Sequence, residues 1–165
     1  MLGFIHLKTF MYLYSCLVRS QLEFASVCWF PHYNLYKHRI ERIQNKFLSI
    51  LNRKFPGNSV SLPSLQERRS ILDILFLYKL FNNLIDSPAL LEKFLFKLPS
   101  YRTRSNELFC VQTYKTNSAM YSPLNRIVSI YNNMLYTFPA LDLFSCNLHY
   151  FKKFLRCNYR NLHQS

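Results

Sequence analysis

The chain has 165 residues, half of them hydrophobic, with 15 Phe and 12 Tyr, which suits one domain with a packed core and excludes a disordered or low-complexity chain. Its two glycines, Gly3 and Gly57, exclude a phosphate-cradling P-loop and a dinucleotide fingerprint, since both need clustered glycines so that backbone N–H groups can approach an anion. Lys and Arg number 21 against 8 Asp and Glu, a formal +13, and such an excess points to a polyanionic partner, RNA or DNA before an anionic membrane surface.

The first predicted element runs from about Phe4 to Val27 and is apolar nearly all round, the pattern of a helix covered on several sides. Its longest uncharged run, Thr9 to Val18, is about half of what a membrane span needs, so no span is expected. A basic start and a small-residue cleavage site are missing, which argues against a signal peptide. Arg19 and Glu23 stand one turn apart, so a structural ion pair along this helix is expected, fixing how the first two helices meet. Pro31 closes the segment, with Trp29 as the expected anchor of the turn. Asn34 is the expected cap of the next helix, "LYKHRIERIQNKFLSILNRKF", which "PGN" at Pro56 to Asn58 ends. Ile40, Ile43, Phe47, Ile50 and Leu51 form an apolar stripe on it, and Arg39, Arg42, Lys46 and Arg53 a basic stripe beside that one.

Ser64 with Glu67 makes a capping box for a helix whose apolar residues from Ile71 to Ile85 face most directions, the pattern of a central core helix. Ser87-Pro88 restarts a helix predicted to run through "ALLEKFLFKL" to Pro99. From Ser100 to Tyr121 the chain is polar and basic apart from "LFCV" at Leu108 to Val111, which predicts a loop with one short strand or hairpin. A second Ser-Pro start, at Ser122-Pro123, opens "SPLNRIVSIYNNML"; a last helix is predicted from about Asp142 to Arg160, with Lys152, Lys153, Arg156 and Arg160 in its C-terminal half. The fold class expected is mainly α: five to six helices in a bundle-like arrangement, one helical domain over residues 1–165, with a short irregular or β insertion near residues 100–121.

The basic stripe Arg39, Arg42, Lys46 and Arg53, with Lys37 and Lys54 near it, is the leading candidate for tracking a phosphate backbone, each cation displacing a counterion. Arg102 and Arg104 in "YRTRSNE", and the cluster on the last helix, extend the idea. Tyr101, Tyr114 and Tyr159 are candidates for stacking on unpaired bases. The structural alternative for the cations is a solvated surface, and for the tyrosines, in a chain this rich in Phe and Tyr, a place in the core. Cys146, His149, Cys157 and His163 are zinc-ligand types, but a straight helix through Cys146 and Cys157 spreads them too far for one tetrahedral ion, so no metal or other cofactor is expected. His32 and His38 have no nucleophile or acid placed to make a triad. Five widely spaced cysteines are an odd number and suggest no disulfide framework, which implies a reducing, intracellular setting, nuclear or cytoplasmic, and not a secreted one.

Four blocks, "LVRSQLEFASVCWFPH", "RIERIQNKFLSIL", "SLQERRSILDILFLYKLFNNLIDSP" and "SPLNRIVSIYN", resemble in order and spacing the region just after the polymerase core in jockey-like non-LTR retrotransposon reverse transcriptases. The resemblance spans about Tyr12 to Asn132. It implies an all-helical thumb and post-polymerase region that helps hold template and primer, and a greasy first helix partly covered by the polymerase palm. The family's catalytic signature, an aromatic residue, one small residue and two aspartates, has no counterpart: Asp73, Asp86 and Asp142 stand apart and are expected to be solvated charges or caps. A two-metal site needs carboxylates converging on ions roughly 3.5–4 Å apart, so no catalytic residue is carried over. The expectation is a truncated, non-catalytic remnant of an RNA-directed DNA polymerase, lacking palm and endonuclease, that binds RNA or DNA backbone without sequence preference. A helical protein–protein module or an inert pseudogene product is the alternative.

Overall fold

The computed structural model describes residues 6–57, 60–98, 107–139 and 142–158. The chain is mainly helical and forms two compact units, Met1–Arg69 and Ser70–Ser165.

In the first unit, α1 (Leu7–Leu13) runs into a π-helical segment (Tyr14–Arg19) and then α2 (Ser20–Glu23). The single helix predicted to Val27 breaks sooner. Phe24 turns extended and Ala25 enters the left-handed region at φ 49° before α3 (Ser26–Trp29) begins. Trp29 pins this break, its indole N–H donating to the Phe24 carbonyl at 2.6 Å. The all-round apolar pattern does not mean burial here: Tyr14 is buried, whereas Tyr12, Leu13, Leu17 and Phe24 are exposed.

A long helix, α4 (Asn34–Lys54), follows. Asn34 is its first helical residue and not its cap, a position taken by Tyr33. It ends where the sequence says: Phe55, ahead of Pro56, leaves the helical region at φ −128° and ψ 67°, and Gly57 then turns the chain at φ 103°, a conformation costly for a residue with a Cβ. Tyr14 is fixed against α4 twice over: its ring stacks on Phe47 at 4.0 Å, and its hydroxyl donates to Gln44 Oε1 at 3.1 Å. Gln44 passes the bond on, its Nε2 donating to the Pro63 carbonyl at 3.0 Å. Burial pushes the Tyr14 phenol above its ordinary pKa, with the nearby Arg19 charge opposing the shift.

The expected pair of Arg19 with Glu23 is replaced. Among the described residues no ion pair joins them; both Glu23 oxygens are taken by Arg68, Nε to Oε1 and Nη2 to Oε2 at 2.9 Å. A planar guanidinium fork on a carboxylate gives two charge-assisted bonds where a neighbour along one helix gives a loose single contact. The next residue, Arg69, donates to the Leu22 carbonyl at 2.8 Å and lies over the Trp29 ring at 4.6 Å. Together these arginines hold the α2–α3 break.

The expected capping box opens α5 (Leu65–Phe81): Ser64 Oγ accepts from the Glu67 N–H at 3.1 Å, and Glu67 Oε2 accepts from the Ser64 N–H at 3.3 Å. In the second unit Ile74, Leu77 and Leu80 of this helix are fully buried, as expected of a core helix. It stops at Phe81, short of Ile85. Asn83 takes the left-handed conformation at φ 54°, and the Leu84 N–H reaches back to the Lys79 carbonyl at 2.8 Å, a Schellman closure with Asn in place of Gly.

α6 (Pro88–Leu91) starts at the predicted proline but lasts one turn. The helix predicted through Leu98 is instead extended from Phe94, and Phe96 pairs with Phe109 in an antiparallel bridge. The Phe94, Phe96 and Phe109 rings gather around Phe81, with centroids 5.3–5.7 Å from it, and an extended chain delivers them there. The short strand expected within Leu108 to Val111 is thus present only as this bridge. Its other side is satisfied by helix α8 (Pro123–Thr137), which begins at the predicted Ser-Pro after the short α7 (Asn117–Met120). Asn132 accepts from the Phe109 N–H at 3.3 Å and donates to its carbonyl at 2.8 Å; Asn125 does the same for Gln112, at 3.1 and 2.7 Å. Residues seven apart on a helix share a face, so two asparagines stand in for a neighbouring strand.

The last helix, α9 (Leu148–Asn158), starts later than predicted. Asp142 instead closes a turn, accepting from the Phe144 N–H at 3.0 Å and from the Ser145 hydroxyl. Asp73 departs from the expectation of a solvated charge or cap: it is shielded from water and held by Arg126, Nε to Oδ2 at 2.9 Å and Nη2 to Oδ1 at 3.3 Å.

Candidate nucleic-acid interface

The exposed side of α4 follows from what the other side does. Gln44 and Leu51 are buried and Phe47 stacks on Tyr14, so the opposite face turns outward. Leu35, Arg39, Arg42, Lys46 and Arg53 lie on it, and Tyr36, Ile43 and Ile50, also exposed, run along its edge next to the buried stripe. Tyr36, Ile43 and Ile50 recur every seven residues, and so do Arg39, Lys46 and Arg53. Seven residues are nearly two full helical turns, so each set forms a ladder along one side. Ile43 and Ile50, expected in the inward stripe, are 44% and 41% exposed; only Ile40, Phe47 and Leu51 of that stripe turn inward.

The predicted cations Arg39, Arg42, Lys46 and Arg53 are brought together on this face. Among the described residues none of them is in an ion pair. Glu41, the acid nearest them in sequence, is engaged elsewhere, accepting from the Leu65 N–H at 3.0 Å. The face therefore keeps one sign of charge over about 21 Å, from Arg39 to Arg53, at the rise of an α-helix. Lys54 lies to one side with its ammonium 4.6 Å from the Phe10 ring, and Lys37 is 5.6 Å from the Phe30 ring. Arg53 and Lys54 in the last turn also suit the negative end of the helix dipole.

An aromatic cluster with no counterpart among the sequence expectations stands where α4 begins. His32 lies 3.7 Å from Tyr33, and Tyr33 meets Tyr36 edge to face at 6.3 Å. Arg39 is next, 5.8 Å from the Tyr36 ring. Tyr33 is 56% exposed and Tyr36 48%. The only hint in the sequence was "HYNLY", with two tyrosines at helical spacing.

Arg102 and Arg104, with Tyr101, Tyr159, Arg160 and His163, lie outside the described residues. Tyr114 is exposed but its hydroxyl donates to Gln112 Oε1. Lys153 and Arg156 are exposed on α9 and Lys152 half-buried. The three aspartates do not converge: Asp73 is bound by Arg126, Asp86 is exposed, and the turn N–H of Phe144 with the Ser145 hydroxyl holds the Asp142 carboxyl below the usual carboxylate range. Among the described residues no group of three His, Cys, Asp or Glu is placed to hold a metal ion, and no helix is long and apolar enough to cross a membrane.

Compared with known protein families, with curated proteins and with solved structures, the chain matches none.

Proposed function

We propose that α4 binds RNA or DNA by its phosphate backbone, without sequence preference, and that the chain is the helical thumb and post-polymerase region of a jockey-like non-LTR retrotransposon reverse transcriptase. In this reading it catalyses nothing alone: the polymerase's metal-binding aspartates belong to the palm, and this chain supplies grip. The observation that carries it is the row Arg39, Arg42, Lys46 and Arg53, exposed on one helix and not in an ion pair with any described acid. Cations fixed in a row release counterions together when a polyanion lies along them.

Titrating a labelled duplex at several salt concentrations tests this. Four phosphate contacts give a slope of log K against log salt of about −3.6, so affinity should fall on the order of a hundredfold between 50 and 200 mM salt. Replacing the four cations by alanine should flatten the slope and abolish most of the binding. Salt-independent affinity, or full affinity in the variant, would overturn the proposal.

A second reading rests on a different observation. Tyr12, Leu13, Leu17 and Phe24 are exposed along α1, the π-helical segment and the start of the α2–α3 break. Such a row favours a helical protein–protein module, whose partner in the proposed parent enzyme would be the palm. Association of this kind persists or strengthens as salt rises, which separates it from backbone binding.

A further inference from the structure

We propose that the α4 site takes single-stranded nucleic acid in preference to duplex, with the aromatic cluster His32, Tyr33 and Tyr36 as a base-stacking platform at one end of the cationic ladder. The inference rests on the reading of α4 as a nucleic-acid site and names its substrate class.

Two strips run side by side along the exposed part of α4: Tyr36, Ile43 and Ile50 in one, and Arg39, Lys46 and Arg53 in the other, with Arg42 on the far side of the cations. Every seven residues an apolar side chain is thus followed by a cation one turn on. A duplex lying on such a face offers phosphates and sugars, its bases being stacked on one another. It would satisfy the four cations and press Ile43 and Ile50 against charged groups. An unpaired strand offers two kinds of surface in alternation, phosphates and the flat faces of bases, and the ladder has a counterpart for each. Arg39, Arg42, Lys46 and Arg53 take phosphates; Tyr36, Ile43 and Ile50 cover bases.

The platform points the same way. The tyrosine rings are about half exposed and held by their neighbours at 3.7 and 6.3 Å, so little side-chain freedom is left to lose when a base stacks on them. Base–aromatic stacking needs no particular base, since every base has a π face. Arg39 beside Tyr36 adds a guanidinium plane that can stack on a base or bind the adjoining phosphate. Preference for unpaired strands therefore accompanies the lack of sequence preference.

The test uses the full chain, a fluorescently labelled dT homopolymer and a blunt duplex of equal length, with affinities measured by anisotropy at fixed salt. The single strand should bind at least about tenfold more tightly, the scale of one or two stacked bases. Tyr33→Leu with Tyr36→Leu keeps apolar volume and removes the π faces; it should lower single-strand affinity about tenfold and leave duplex affinity within about twofold. Tyr33→Phe with Tyr36→Phe keeps the faces and should bind as the parent does. Trp29 emission and far-UV circular dichroism check that each variant is folded. If the leucine variant does not fold, photocrosslinking of the parent chain to iodouridine-substituted strand should map to Tyr33 or Tyr36, and crosslinks found only elsewhere overturn the inference. Equal or better binding of duplex, or equal losses for both ligands in the leucine variant, overturns the inference and leaves the backbone-binding proposal standing. Failure to bind either oligonucleotide at low salt, including a result in which only anionic vesicles are bound, overturns both.

Discussion

Asp73 is shielded from water in the fork of Arg126, so removing one half of the pair is the severe change and removing both is the mild one. Asp73→Ala leaves a partly buried guanidinium without this partner and should destabilise the second unit by about 3–5 kcal/mol; Asp73→Ala with Arg126→Leu should recover much of that, read from denaturant midpoints. Tyr131 gives a pH dependence. Burial, reinforced by the Asp142 charge, raises its phenol well above the ordinary value of 10.0. The unfolded side chain ionises near pH 10 while the folded one keeps its proton, so its contribution to stability is complete below that pH and is lost as pH rises beyond it. Tyr131→Phe should flatten the alkaline limb of a stability–pH profile. Neither feature was legible beforehand. Asp73 and Arg126 are 53 positions apart, as Glu23 and Arg68 are 45 apart, and charge spacing in a sequence reveals only neighbours within a turn or two.

At the scale of elements, local chemistry was readable wherever it acts over a few residues. The Ser64–Glu67 box forms as the sequence implies, both Ser-Pro pairs open helices, though without a side-chain cap bond from either serine, and the chain turns at Gly57 just past the end of α4. The failures lie where an element depends on distant partners. "FLFKL" carries a helix-compatible pattern, yet it is drawn out so that Phe94 and Phe96 reach Phe81, and so that its N–H and C=O groups meet those of Leu108 and Cys110. The asparagines of α8 hold the far side of that pairing. Asn132→Ala leaves the buried Phe109 N–H and C=O without these partners, and each unmet buried group costs about 1–3 kcal/mol. The expected loss is at least that for one group, with early hydrogen exchange at Phe109 as the local readout. Asn132→Leu should do no better, because volume is kept and the bonds are not.

For the whole molecule, the question is whether affinity for polyanions comes from total charge or from one face. Replacing Arg39, Arg42, Lys46 and Arg53 takes the formal charge only from +13 to +9. A loss of most binding would therefore locate the effect on α4. Neutralising Lys152, Lys153 and Arg156 on α9 removes nearly as much charge and should leave most of the salt slope intact. The sequence by itself determined the helical class, the helix starts at the Ser64–Glu67 box and at the two Ser-Pro pairs, the stop at Pro56-Gly57, and the cationic excess, because each depends on composition or on residues a turn apart. Only the tertiary structure decided which side of α4 is outward, and hence that Ile43 and Ile50 share the exposed face with the cations. It alone gave Glu23 to Arg68 and enclosed Asp73 with Arg126. Those outcomes depend on which distant surfaces exclude water from one another, and no local period in a chain encodes that.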